Sequence, residues 1–268
     1  MADWNTRDRV AFEDLDQHRT FKWTSVMRVM AQGHANAPRG IWPEGSRAEY
    51  SAVHGIHSIV SYFDLTRALH RPMSDGVLAL HYERQLGYTM DRGGHSRRYG
   101  GIDTSSVVDD AGLLLAQARH HWLWFRADRG ALLDEPAPGF TPDEQSTELP
   151  PVPVRPSALE ESVTDHRFRW SSRETDLNQH VTFSAYVERA ENALADEKTG
   201  TDGLPRLEAW FRQQSFLGDA MRTAVQSGDG CETVRLEHAE SGALCAVLRW
   251  STPSTPMPEA VRTPAAGS

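Results

Sequence analysis

Phe183, Tyr186, Val187, Ala190 and Leu194 recur at three- and four-residue intervals, the spacing of one apolar helical face, and predict an amphipathic helix in the second half of the chain. Ahead of it, His166-Arg167-Phe168-Arg169-Trp170 alternates polar and apolar side chains as a half-buried strand does. Behind it come four strand-like runs, roughly 207–216, 220–226, 232–238 and 243–250, separated by Gly218-Asp219, Gly228-Asp229-Gly230 and Ser241-Gly242 turns. The pattern predicts a strand, a long helix and then an antiparallel meander.

The first half repeats this order. Arg9–Glu13 reads as a leading strand, Phe21–Ala35 as a helix, and Leu78–Leu86, Ser105–Val108 and Leu113–Phe125 as strands, with Asp109-Asp110-Ala111-Gly112 turning the last pair. The halves differ in the middle: 67 residues separate His18 from Gln85, against 34 between His180 and Gln214. The insertion, about 36–70, contains Pro38, Pro43 and the apolar run Ile56–Leu65, and is expected to form an extra helix or lid.

A nine-residue pattern ties the halves together. Asp14-Leu15-Asp16-Gln17-His18-Arg19-Thr20-Phe21-Lys22 and Asp176-Leu177-Asn178-Gln179-His180-Val181-Thr182-Phe183-Ser184 lie 162 positions apart and agree at six of nine places. The shared residues include Asp, Gln, His and Thr, so the repeat points to a duplicated unit that carries a site, not to coincident hydrophobic spacing. Glu135–Ser157 is rich in Pro with few large apolar residues, and reads as a linker. The expected domains are therefore 1–134, a linker at 135–157, 158–251 with the better site, and a disordered tail at 252–268.

A net charge of −9 and the lack of a basic stripe argue against a nucleic-acid surface. No apolar run is long enough for a bilayer, and the first residues lack the core of a signal peptide. With only Cys231 and Cys245 present, a reducing cytoplasm is the expected compartment, and both cysteines are expected to pack in the sheet. His54-Gly55-Ile56-His57 has an H-x-x-H spacing, but no third ligand sits at metal spacing, so no metal and no resident cofactor are expected. His120 and His121 read as surface residues, and Trp23, Trp122, Trp124, Trp170 and Trp210 as core.

A strand, then Asp-x-Asn-x-His opening a long helix, then an aromatic-Arg strand, resembles the acyl-ACP thioesterases and their acyl-CoA thioesterase relatives. The match is tightest over Trp170–Asp219: Asp176, Asn178 and His180 fall on the family's Asp-x-Asn-x-His, Tyr186 on the aromatic of the following helix, and Phe211-Arg212-Gln213-Gln214-Ser215 on its Tyr-Arg-Arg-Glu-Cys strand. The resemblance implies an α+β double hotdog, each half a long central helix wrapped by an antiparallel sheet. It implies a thioesterase releasing a fatty or polyketide acyl chain from acyl carrier protein or CoA, as a monomeric double hotdog or a homodimer. The substrate would bring its own phosphopantetheine. Gln214 and Ser215 depart from the family's Glu and Cys, which puts a cysteine-dependent mechanism in doubt; an amide orients a water but does not accept its proton.

On this reading the first N–H groups of the helix stabilise the oxyanion of a thioester under attack. Asp176 is the base or the nucleophile, Gln214 holds the water, and Asn178 and His180 orient the carboxylate or the carbonyl. The blander reading makes Asp176 and Asn178 backbone caps and His180 a hydrogen-bonded histidine. Asp14, Asp16, His18 and Gln85 form a possible second site; two carboxylates two residues apart raise one pKa, so it is either a different acid–base pair or a decayed site. Phe183, Tyr186, Ser215, Arg97 and Arg98 are candidate substrate-binding residues, the arginines for a phosphopantetheine phosphate or an acidic carrier. Two other functions compete: a hotdog dehydratase, hydratase or cyclase, and a non-catalytic acyl-binding protein. Hydratase-type hotdogs space their residues Asp-x-Asn-x-x-His, one longer than here, which favours hydrolysis.

Overall fold

The computed structural model describes residues 2–9, 14–15, 21–35, 37–38, 41–68, 76–91, 93–156, 166–175, 180–197, 201, 203–228 and 230–253. The first half contributes β1 (Ala2–Arg9), α1 (Trp23–Ala35), α2 (Arg47–His54), β2 (Ile56–Arg67), β3 (Val77–Met90), β4 (Arg97–Val108), β5 (Leu114–Arg126) and the short β6 (Ala131–Leu132). The second contributes β7 (His166–Arg169), α3 (Phe183–Asp196), β8 (Arg206–Phe211), β9 (Ala220–Gly228), β10 (Cys231–His238) and β11 (Leu244–Ser251). The strands join one antiparallel sheet in the order β1-β3-β4-β5-β2-β8-β11-β10-β9-β7, with β6 on β5. Read outward from the β2·β8 seam, both halves have the same order, which makes the architecture α+β with a repeated topology.

The run Ile56–Leu65, expected as helix or lid, is instead the innermost strand of its half. Ser46 caps α2 by accepting from Glu49 N–H at 3.2 Å, and Gly55 ends it in the left-handed region (φ 63°), which turns the chain directly into β2. The insertion is thus one short helix and a full strand. The described leading strand is Ala2–Arg9, where Trp4 stacks on Tyr82 at 5.0 Å and β1 pairs with β3; of the expected Arg9–Glu13 run, 10–13 lie outside the described residues.

The face under α1 and α3 carries a continuous core that crosses the seam: Trp23, Met27 and Met30 of α1, Tyr186, Val187 and Leu194 of α3, and Leu65, Leu80, Leu207 and Leu248 of the sheet are all buried in it. A second cluster, Trp42, Tyr50, Ile56, Leu86, Trp122 and Trp124, fills the same half beyond α1. Trp122 lies flat on the backbone of β4, where a Cβ on Gly101 would come within 2.5 Å of its ring. At the seam, Arg206 holds Asp64 through two bonds of 2.9 Å and also donates to Glu208, which accepts from the Tyr62 hydroxyl at 2.8 Å.

The Pro-rich stretch packs as a strap around the sheet: Ala137 and Phe140 join the Trp42–Trp124 cluster on the α1 side, the chain meets the edge of β3 at Tyr88, and Val152 and Pro153 lie by Trp210 on the other face. Gln145 is buried, accepting from Ala137 N–H and donating to the Ala137 carbonyl. Tyr88 and the strap exchange backbone bonds, Tyr88 N–H to Thr147 O at 3.0 Å and Leu149 N–H to Tyr88 O at 2.8 Å. Four residues on, the Pro153 carbonyl accepts from the Trp210 indole of β8. The strap crosses β3 where Gly87 leaves room; a Cβ there would stand 2.3 Å from the Thr147 carbonyl.

Gly87→Ala is expected to destabilise the protein by about 1–3 kcal/mol in a urea titration and to speed proteolytic cleavage within the strap. His121, against Tyr62 and beside the seam, is pushed down to about 4 by burial, then by Arg119 and His120, with Asp64 opposing. A depressed histidine leaves stability undisturbed at neutral pH and erodes it as pH falls from 6.5, where the unfolded chain takes up the proton, toward 4, where the folded one does. His121→Asn is expected to flatten the stability profile across that window.

Candidate active site

Both helices are entered in the same way. Lys22 N–H donates to the Asp14 carbonyl at 3.0 Å and Thr182 N–H to the Glu174 carbonyl at 2.9 Å. Inside each closure sits one β-bridge, Leu15 with Phe21 and Thr175 with Val181. The acid opening each loop then turns onto the helix it precedes: Asp14 accepts from Arg28 at 2.7 Å and Glu174 from Arg189 at 2.6 Å. α1 and α3 each begin on the residue after the closing donor.

These features superpose the copies with a shift of 160 residues, not the 162 given by the identities. Asp14 therefore stands opposite Glu174 and not opposite Asp176. By chain position, Asp16 matches Asp176, His18 matches Asn178, and Thr20 matches His180. Asp16, His18, Thr20, Asp176 and Asn178 lie outside the described residues, and the match is one of sequence position within a common frame. Asp14, proposed from sequence as a second-site residue, is 3% exposed and tied to Arg28, which makes it a loop anchor.

Glu174 is the anchor of the second copy. It also accepts from the Ser171 N–H and hydroxyl at 2.7 and 2.8 Å. Burial pushes its carboxyl up, but the Ser171 bonds and the Arg189 charge outweigh that and hold it below its ordinary value. Sequence reasoning missed this residue, although Ser171-x-x-Glu174 has the spacing by which a Ser and a Glu satisfy each other's neighbours ahead of a helix.

The segment after β8 docks on the same loop. Ser215 O accepts from Val181 N–H at 3.0 Å, and His180 forms a β-bridge with Phe216 while its ring meets Phe216 edge-on at 5.1 Å. His180 and Gln214, both half-buried, are thereby brought to the entrance of α3. Ser215 is buried and its hydroxyl engages Met221, Tyr186 and Cys245, so it anchors this segment internally. Tyr186 packs between Trp170 and Phe211, and burial pushes its hydroxyl up to about 12. Phe183, first residue of α3, contacts Phe63 of the other half at 5.8 Å.

The remaining first-half candidates are elsewhere. Gln85 lies inside β3, whose counterpart by strand order is β9, whereas Gln214 follows β8, the counterpart of β2; the two glutamines are not equivalent. Strand alternation also turns Gln85 to the face opposite Tyr82, away from α1. Arg97 and Arg98 pair with Met90 and Thr89, at the end of β3 remote from where β1 leads into α1, and Arg97 stacks on Tyr88 at 4.4 Å. Glu191 of α3, unforeseen from sequence, is pushed up to about 7 by burial and by Glu188, against the pull of Arg67 and Lys22. Among the described residues no group of His, Cys, Asp and Glu is placed to hold a metal, and no helix is long and apolar enough to cross a membrane. His54 is bound to Glu44 at 2.5 Å.

No family model and no curated protein matches the chain by sequence. Solved structures match its fold. An acyl-ACP thioesterase from Bacteroides thetaiotaomicron aligns over 93% of this chain and 97% of its own at 13% identity, with a TM-score of 0.69. The 12:0-ACP thioesterase from Umbellularia californica aligns over 93% and 96% at 13% identity, with a TM-score of 0.72. A MaoC-like dehydratase from Phytophthora capsici covers 74% of this chain and 72% of its own at 14% identity, with a TM-score of 0.50. The chain has the α+β hotdog fold of the acyl-ACP thioesterases across nearly its whole length.

Asp14→Ala is expected to cost about 1–3 kcal/mol in a denaturant titration, as an anchor would. Because the Glu174 carboxyl is held low, its contribution is complete above the usual carboxylate range and is lost as pH falls through the lowered value. Glu174→Gln should remove that acid-limb loss from the stability profile.

Proposed function

We propose that the chain is a thioesterase that hydrolyses an acyl thioester of acyl carrier protein or CoA, built as two hotdog units with the chemistry in the second. The observation that supports this reading is the docking of the Gln214–Phe216 segment on His180–Val181, which brings an amide and an imidazole to the entrance of α3. The helix end suits a developing oxyanion. Thr182 precedes α3 in extended backbone and its side chain does not cap the first N–H groups, and the first turn carries no acidic residue to neutralise the positive end.

In the reaction, the thioester carbonyl lies against that end. Asp176 takes a proton from a water aligned by Gln214, the water oxygen bonds to the carbonyl carbon, the C–S bond breaks, and the sulfur leaves with a proton as free thiol. The alternative within the same geometry is direct attack by Asp176, giving an anhydride that water then opens. Asn178 and His180 orient the acid or the carbonyl. Asp16 and His18 are the first-half positions to examine for a second site. The substrate supplies its own phosphopantetheine, no further cofactor is required, and the cytoplasm is the proposed compartment. A dehydratase acting beside the thioester is the second reading, supported by the shorter likeness to the MaoC-like fold.

Thiol release across acyl-CoA and acyl-ACP substrates tests the proposal. Asp176→Ala is expected to lower turnover by about 10²–10⁴-fold, and Asp16→Ala reports on the first half. Turnover that survives Asp176→Ala, or loss of water from a 3-hydroxyacyl substrate with its thioester intact, would overturn it.

A further inference from the structure

Arg84 of β3 and Asp103 of β4 form a buried two-bond ion pair, 2.9 Å at both contacts, on the face of the sheet that carries Tyr82 and α1. His120 approaches the same carboxylate, with Nε2 at 3.5 Å. Three indoles ring the guanidinium: Trp42 at 4.6 Å, Trp4 at 5.4 Å and Trp122 at 5.6 Å. Arg84 is 6% exposed, yet its Nη1 has no protein acceptor; neither has the Nε1 of Trp122, nor that of Trp124 beside it at 4.7 Å. Buried donors left unbonded are costly, so a centre with several of them around one guanidinium invites an occupant that would bond them.

The imbalance specifies the occupant. Around the guanidinium the unbonded groups are the Arg84 Nη1 and the two indole N–H donors, with His120 Nδ1 beside the ion pair also unbonded; an occupant that satisfies the three donors must offer oxygen acceptors. The guanidinium charge is already neutralised by Asp103, and a carboxylate or phosphate would bury a second negative charge without a partner. A neutral carbonyl oxygen satisfies both conditions. The centre is also connected to the candidate site: Phe183, at the start of α3, contacts Phe63 at 5.8 Å, and Phe63 stacks on His120 at 6.1 Å.

We propose that the Arg84–Asp103–Trp122 centre binds a keto oxygen carried on the acyl chain, remote from the thioester, and so selects oxo-acyl substrates over saturated ones. This rests on the thioesterase reading for its substrate, and the experiment separates the two. Turnover of N-acetylcysteamine thioesters of dodecanoate and of its 3-, 5-, 7-, 9- and 11-oxo derivatives is compared for the full chain, together with binding of the matching non-hydrolysable amides, followed by tryptophan fluorescence. The expected result is a preference of about tenfold or more for a distal oxo group over the saturated chain, in binding and in turnover. Trp122→Phe, which keeps the ring and removes the donor, should reduce that preference, and Arg84→Met with Asp103→Leu, which removes the charges as a pair, should abolish it. If the double variant does not fold, Trp122→Phe decides. Equal affinity for oxo and saturated amides, or a preference unchanged in the variants, would overturn the proposal. Selective binding of the oxo amide without any thiol release would uphold the centre and refute the hydrolase reading instead.

Discussion

The backbone zip between β2 and β8 turns two similar units into one sheet. Tyr62 pairs with Trp210, Phe63 with Ala209 and Leu65 with Leu207, so alternate residues of both strands enter one continuous core beneath α1 and α3. Because Phe63 belongs to the first unit and Phe183 to the second, the entrance of α3 is furnished from both. The polar clasp of Arg206, Asp64, Glu208 and Tyr62 sits on the other face and fixes the register of the pairing, since a one-residue slip would reverse which side chains face the helices.

The helices and the second-half meander were legible in the sequence because their apolar spacing is regular; α3, β9, β10 and β11 fall within a few residues of where the pattern puts them. The first half was harder for identifiable reasons. In Ile56–Leu65 the polar residues His57, Ser58, Ser61 and Asp64 interrupt the apolar ones without a clean alternation, and such a run does not declare its period until the left-handed Gly55 shows where the helix stops. The strap was legible as Pro-rich but not as packed, because its hold comes from backbone bonds to Tyr88, a Gln145 side chain that ties the strap to itself, and scattered apolar residues such as Ala137 and Leu149, which leave no periodic trace.

The candidate site shows the same division. Identity of side chains aligned Asp14 with Asp176, but the protein counts residues between hydrogen bonds, and those bonds place the buried acids Asp14 and Glu174 in one role. An acid that bonds an arginine one or two turns into the following helix looks, letter by letter, like an acid poised for chemistry. Only the partner distinguishes them. His180 and Gln214 were legible as candidates, and what sequence did not show was the Ser215–Val181 bond that brings them to one place.

The strap has a bearing on assembly. Leu149 is held to Tyr88 of one unit and Pro153 to Trp210 of the other, and four residues reach about 14 Å at full extension. A tether this short keeps the complementary strand edge of its own molecule at high local concentration. Separating the two units would have to break the Pro153–Trp210 bond as well as the zip, so the strap acts as a second fastening across the seam.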